Sequence, residues 1–215
     1  MCPHGARLSL TCTHKMNDTQ AFLRSRRSVR RFKPDPVPDS LIETILITAG
    51  FAPSAHNRQP WRYVVITSAG QKAALAEAMG EEFRHDLLAD GHRADEAEAQ
   101  VVKSRQRIQS APVAVVLCAD FACADDYPDR ERQAADSLML VQDTALGGMQ
   151  FMLAAHAEGL SSCWMCAPLF APETVRSILA LPETWDPQAL ILLGYGDRIP
   201  EARVGKPVSE TALFK

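Results

Sequence analysis

The sequence predicts a single α/β domain, and three observations point there. A chain of 215 residues with 47% apolar content fills one substantial core and leaves little for a second. Stretches with helical three-and-four apolar spacing alternate with short β-branched runs. Val113-Ala114-Val115-Val116-Leu117-Cys118 is apolar without a break, the pattern of a central strand covered on both faces.

The elements follow in order. A first helix is expected over about 19 to 27, capped by Asp18 or Thr19 and ending before Arg30-Arg31-Phe32-Lys33-Pro34. Pro34, Pro36 and Pro38 then enforce an extended linker, because each proline bars its predecessor from helical geometry. Asp39 is placed to cap a second helix, whose Leu41, Ile42, Ile45, Leu46 and Ala49 form a buried stripe, with Pro53 stopping it. A polar loop, 53 to 60, feeds a strand from Trp61 to Thr67. Helices are expected over Ala69 to Met79 and Asp95 to Gln109, the latter charged and largely facing solvent, while Glu81 to Ala94 carries no clear pattern. A long helix from about Arg130 to Glu158 is apolar over most of its circumference, so it is buried on several sides. Within it Gly147-Gly148 costs about 1 kcal/mol per glycine against alanine, which suggests close approach of another backbone. Gly159 ends this helix. A strand over Ser161 to Cys166, a helix from Pro172 to Leu179 and a strand from Ala189 to Tyr195 complete the core. The polar tail after Gly196 is expected to pack on something, such as another subunit.

Composition excludes several roles. A formal charge of −3 and a pI near 6.1 argue against a general nucleic-acid binder. No apolar run approaches the roughly 18 residues of a membrane span, and Met1-Cys2-Pro3-His4 opens without a signal-peptide core, so a cytoplasmic protein is expected. Six cysteines are too few for a disulfide scaffold. Cys163-Trp164-Met165-Cys166 has the spacing of a redox or metal pair, but zinc needs two further ligands that the neighbouring sequence lacks, so two cysteines on a buried strand are expected instead. Cys2, His4, Cys12 and His14 have single-residue spacings that argue against a metal site, and residues 1 to 17 are read as a disordered lead.

Two segments carry chemistry. In Arg26-Arg27-Ser28-Val29-Arg30-Arg31, guanidinium forks match phosphate oxygens and Ser28 adds a hydroxyl. The same hexamer also reads as a solvated basic end that complements a helix dipole. Downstream, Pro53-Ser54-Ala55-His56-Asn57-Arg58-Gln59-Pro60-Trp61 offers hydroxyl and amide groups that donate and accept, suited to a ring with alternating carbonyl and NH edges; Pro53 and Pro60 stiffen its ends. An ordinary turn bonding to its own backbone is the alternative. His56 reads as a solvated loop histidine. There is no G-x-S-x-G, H-E-x-x-H, P-loop or G-x-G-x-x-G motif. That pattern suits an enzyme whose cofactor carries the reactive centre.

These two segments together resemble the FMN-dependent nitroreductase family, and the likeness continues through Gly159-Leu160-Ser161-Ser162-Cys163-Trp164 and Gly194-Tyr195-Gly196, over roughly residues 20 to 215. Within it the chain looks most similar to the flavin domain attached to the glutamyl ligase of deazaflavin-coenzyme biosynthesis and to free-standing relatives. The resemblance implies an α+β fold with a mixed sheet flanked by helices, in a single FMN-binding domain over 18 to 215. It also implies a domain-exchanged homodimer with FMN at the subunit interface and the C-terminal tail on the partner. Arg26, Arg27 and Ser28 then look like phosphate ligands and Arg30 like the cation near flavin N1 and O2. Pro53, Ser54, Ala55, Asn57 and Gln59 belong to the loop that reaches the flavin of the other subunit. Cys166 and Ala167 fall where many relatives carry an acidic residue and a glycine beside flavin N5, and core packing is the expectation for Cys166. Arg203 and Lys206 stand where relatives usually show a basic pair before proline.

The function implied is NADH- or NADPH-driven, ping-pong reduction of a nitroaromatic, quinone or conjugated acceptor, with no side chain serving as catalyst. Three alternatives stand beside it: a flavin-cleaving enzyme related to dimethylbenzimidazole synthase, a flavin-binding protein without turnover, and a metal-binding module built on the cysteines.

Overall fold

The computed structural model describes residues 16–215. The grouping of Cys2, His4, Cys12 and His14, and most of the expected lead, lie outside the described residues. Helix α1 (Asp18–Ser25) is capped by Asn17 rather than by Asp18 or Thr19. The Asn17 side chain accepts from the Gln20 amide at 2.8 Å while the Gln20 side chain accepts from the Asn17 amide at 3.2 Å, a reciprocal capping box. Pro38 holds the cap position of α2 (Asp39–Ala49), so Asp39 is the first helical residue and not the cap. Strand β1 (Trp61–Ile66) follows the polar loop.

Helix α3 (Ala69–Ala89) runs past the expected end at Met79 and absorbs most of the unassigned stretch. Gly80 lies inside this helix, where a Cβ would collide with the Arg105 guanidinium from the neighbouring α4 (Ala94–Ser110). Arg105 crosses α3 at that glycine and pairs with Glu77 at 2.9 Å and Glu81 at 2.7 Å. Strand β2 (Val113–Asp120) is buried along its whole length. Helix α5 (Arg130–Ala157) ends at Gly159, whose φ of 75° lets the Leu160 amide reach back to the Ala155 carbonyl at 2.9 Å. Strand β3 (Ser161–Met165), helix α6 (Pro172–Leu179), strand β4 (Trp185–Gly194) and the short α7 (Val208–Thr211) complete the chain.

The strands form one sheet in the order β1-β2-β4-β3, every ladder antiparallel. The class is therefore α+β, not the alternating α/β of the composition argument. Among the described residues parallel pairing, the mixed part of the expected sheet, is confined to one bridge between Ser28 and Ser162. One face of the sheet packs on α2 and α5 through Ile45, Leu117, Phe151 and Ile191. The other packs on α3, α4 and α6 through Leu75, Ile108, Val116, Val175 and Leu190. Gly147 and Gly148 do admit a close approach, but from side chains and not a backbone. A Cβ on Gly147 would lie 2.8 Å from Trp61, and one on Gly148 would lie 2.5 Å from Trp164 and 2.6 Å from Leu117. No helix among the described residues is long and apolar enough to cross a membrane.

Candidate active site

After α1 the backbone runs extended along the β3 edge of the sheet. The Val29 amide donates to the Ser162 carbonyl at 3.0 Å, the Lys33 amide to Tyr195 at 2.8 Å, and the Asp197 amide to Arg31 at 3.1 Å. Extended chain sends alternate side chains to opposite faces, and Val29 takes the core. Its neighbours Ser28 and Arg30 join Arg26, Arg27 and Arg203 around a cavity of about 300 Å³, closed by Pro200 and Glu201. Four of the five predicted basic ligands thus converge with Ser28 on one site, while Lys206 lies exposed on the tail and lines no part of it. Arg27 is partly committed elsewhere, since its Nη1 donates to the Arg24 and Arg26 carbonyls at 2.6 and 2.8 Å.

The end of α1 is pinned by His156, near the C-terminus of α5. Its ring stacks on Phe22 at 4.9 Å, and its Nε2 lies 2.6 Å from Ser25 Oγ. That hydroxyl already donates to the Phe22 carbonyl at 2.7 Å, so the Nε2–H is the donor to it. Burial lowers the His156 pKa, and the charges of Arg26 and Arg27 lower it further. A neutral ring therefore forms one wall of a second cavity of about 320 Å³, which shares Arg26 and Arg27 with the first.

The loop from Pro53 to Pro60 is shaped by left-handed backbone at His56, Asn57 and Gln59, with φ of 53°, 55° and 49°. Ser54 Oγ accepts from the Gln59 amide at 3.0 Å and Gln59 Nε2 donates to Asn57 Oδ1 at 2.9 Å, so these groups brace the turn. Two buried carboxylates on α5 anchor it. Asp143, 5% exposed, accepts from the Ala55 amide at 3.0 Å; Asp136, 3% exposed, accepts from Arg58 at 2.7 Å and from the Asp125 amide at 3.0 Å. Arg58 also pairs with Asp125. Arg58, Asp136 and Asp143 were missed by the sequence reading. The available signal was two acids seven positions apart, two turns along the helix face that also carries Leu140 and Gly147.

None of the three cavities described here combines the loop with the arginines in its lining. Cys166 is exposed, in the turn that follows β3, so the expected core packing does not hold for it. Met165 ends the strand, and the turn into the 3-10 segment Ala167–Phe170 puts the thiol outside. Its neighbour Ala167 contributes to a third cavity, on the α3 side. Cys163 is buried as expected, and burial pushes its thiol pKa up against the opposing pull of Arg30, Arg107 and Arg26. No group of three or more His, Cys, Asp or Glu is placed to hold a metal among the described residues.

Known proteins share this arrangement of sequence and fold. The NADH dehydrogenase of Thermus thermophilus is 32% identical over 202 residues, covering 83% of this chain and 86% of that protein. The 5,6-dimethylbenzimidazole synthase of Rhodobacter capsulatus is 30% identical over 204 residues, covering 93% and 91%. Among solved structures, a BluB-like flavoprotein from Clostridium difficile superposes with a TM-score of 0.77 at 24% identity, over 93% of this chain and 100% of that one. The Nitroreductase family model matches residues 23–195, a span that includes the arginine segment, the anchored loop and the whole sheet, and the chain therefore belongs to the nitroreductase family.

Proposed function

We propose that this chain is an FMN-dependent oxidoreductase that takes reducing equivalents from NADH or NADPH and passes them to a nitroaromatic, quinone or conjugated acceptor in ping-pong order. The observation that carries the proposal is the convergence of Arg26, Arg30, Arg203 and Ser28 on one cavity at the sheet edge. Those three guanidinium groups have no ion pair among the described residues, and Arg26 and Arg203 with Ser28 present a donor set suited to a phosphate monoester.

Bound FMN would supply hydride acceptance and donation, chemistry that none of the side chains here offers. Arg26, Ser28 and Arg203 would hold its phosphate, with Arg27 at the edge of the same cavity. Arg30 would place positive charge by the pyrimidine edge and favour the reduced anion. The backbone at Cys166 and Ala167 would face N5, whatever their side chains. Ser54, Ala55 and Asn57, in a loop fixed by Pro53, Gln59 and the two α5 carboxylates, would complete the site from a second copy of the chain. That the arginine cavity takes no lining residue from the loop of the same protomer supports that homodimeric reading. So do the exposed apolar side chains Ile47, Phe51, Leu138, Leu146 and Met149, and the exposed tail with Leu213 and Phe214.

The deciding experiment is an absorption spectrum after reconstitution with FMN, followed by anaerobic titration with NADPH and NADH. Flavin bands that appear and then bleach support the reading, and failure to bind FMN ends it. Parallel double-reciprocal plots support ping-pong order; intersecting plots refute it. The likeness to the Rhodobacter synthase favours one second reading, in which the flavin is substrate and is cleaved. Oxygen-dependent, irreversible loss of the flavin spectrum after reduction identifies that activity, whereas full reoxidation without loss excludes it.

A further inference from the structure

The third cavity, of about 330 Å³, shares no lining residue with the arginine cavity and lies between the α3–α4 pair and the segment that follows β3. Its floor is apolar: Ala76, Met79 and Leu87 from α3, Ile108 from α4, and Ala171. Two aromatic side chains flank it, Phe83 from α3 and Phe170 from the 3-10 segment, and Phe170 is 76% exposed. On the α3 wall, Glu82, Asp86 and Asp90 recur at helical spacing of four, so their carboxylates share the face that carries Phe83 and Leu87.

Neutralising partners for these acids are few. Glu82 accepts from the Thr174 hydroxyl at 2.9 Å, and Asp86 lies 3.6 Å from the exposed His85. Two arginines of these helices are engaged elsewhere: Arg84 with Glu81 and Glu98, Arg105 with Glu77 and Glu81. No lysine or arginine lines the cavity among the described residues. An apolar floor, two aromatic faces and a rim of carboxylates with few neutralising partners form a combination that favours a cation carried on an apolar body. The quadrupole of each aromatic face and the carboxylates attract the charge, while the floor takes the hydrocarbon. An anion of the same shape would meet repulsion from the rim.

From this geometry we infer a second ligand site, distinct from the arginine cavity and selective for hydrophobic organic cations such as aromatic quaternary ammonium compounds. Ala167 is common to this cavity and to the turn assigned above to flavin N5. An occupant would therefore lie against the backbone that carries the proposed redox site, although the binding inference does not depend on flavin being there.

The test is isothermal titration of the full-length protein with benzyltrimethylammonium, and separately with phenylacetate and neutral benzyl alcohol. Saturable binding of the cation, at least tenfold tighter than either comparator and weakened by added salt, is the expected result. The triple variant Glu82→Gln, Asp86→Asn, Asp90→Asn should weaken the cation about tenfold and leave benzyl alcohol unchanged. Ser104→Trp, on the partly exposed wall of the cavity, should abolish binding of all probes while the folded CD spectrum persists. Equal affinity for cation and neutral probe, no binding of the cation, or insensitivity to both variants would overturn the inference. FMN binding, measured on the same samples, reports separately on the arginine cavity.

Discussion

Gly148→Ala separates packing from helix propensity at the centre of α5. In an exposed helix the change gains about 1 kcal/mol, because alanine loses less backbone freedom than glycine. Here the added methyl would sit 2.5 Å from Trp164 and 2.6 Å from Leu117, roughly 1 Å inside ordinary contact distance, and both neighbours are held by the sheet. Overpacking a filled core costs about 1–3 kcal/mol, and a site closed on two sides takes the upper part of that range. Subtracting the propensity gain leaves a net loss of about 1–2 kcal/mol. For a chain of this size that is a fall in Tm of about 2–8 °C, read by calorimetry at fixed protein concentration. Gly70→Ala is the control, since a Cβ there would meet only the Ser68 hydroxyl at 3.8 Å; it should be neutral or stabilise by up to about 1 kcal/mol. Trimming one neighbour with Leu117→Val should make the double change less costly than the sum of the singles by about 0.5–1 kcal/mol. If Gly148→Ala raised Tm as Gly70→Ala does, the glycine would not be there to admit Trp164 and Leu117, and the packing argument would be wrong.

Arg26→Ala and Arg203→Ala should each weaken FMN at least tenfold and leave riboflavin, which lacks the phosphate, nearly unchanged; equal losses for both ligands in a flavin-quenching titration would remove these residues from the phosphate site. Iodoacetamide followed by peptide mapping should modify exposed Cys166 well before Cys163 or Cys118, because burial raises both buried thiols, that of Cys118 to about 12, and withholds them from the reagent. His156 is held neutral in the folded state, so its pKa lies below the ordinary 6.5. As pH falls below 6.5 the unfolded chain takes up that proton first, and stability drops until the lowered folded pKa is passed. His156→Gln should flatten this part of a urea-midpoint profile against pH, and an unchanged slope would refute the assignment.

What was legible in the chain follows the physics of each signal. The unbroken apolar run at Val113–Cys118 allowed only a strand covered on both faces, and it is a central strand of the sheet. Pro172–Leu179 carried its own start and amphipathic stripe, and both limits match. The clustering of Arg26, Ser28 and Arg30 was legible because alternate side chains of an extended segment share a side. The run of α3 beyond Met79 was not legible, because Arg105 of α4, which packs across Gly80, is 25 residues away in sequence. Cys166 looked buried because its neighbours are apolar, yet the turn after Met165 puts it in solvent. The loop was hardest: its three left-handed residues are His, Asn and Gln, and no glycine announced them. The turn is braced from within by Ser54, Asn57 and Gln59 and anchored at Ala55 and Arg58 by Asp143 and Asp136, whose burial on α5 is offset by those partners and by the Asp125 amide. A carboxylate on a buried face is costly unless it is paired or hydrogen-bonded. The two acids on α5 therefore mark a segment docked from elsewhere in the chain, and here that segment is the loop that distinguishes the proposed flavin site.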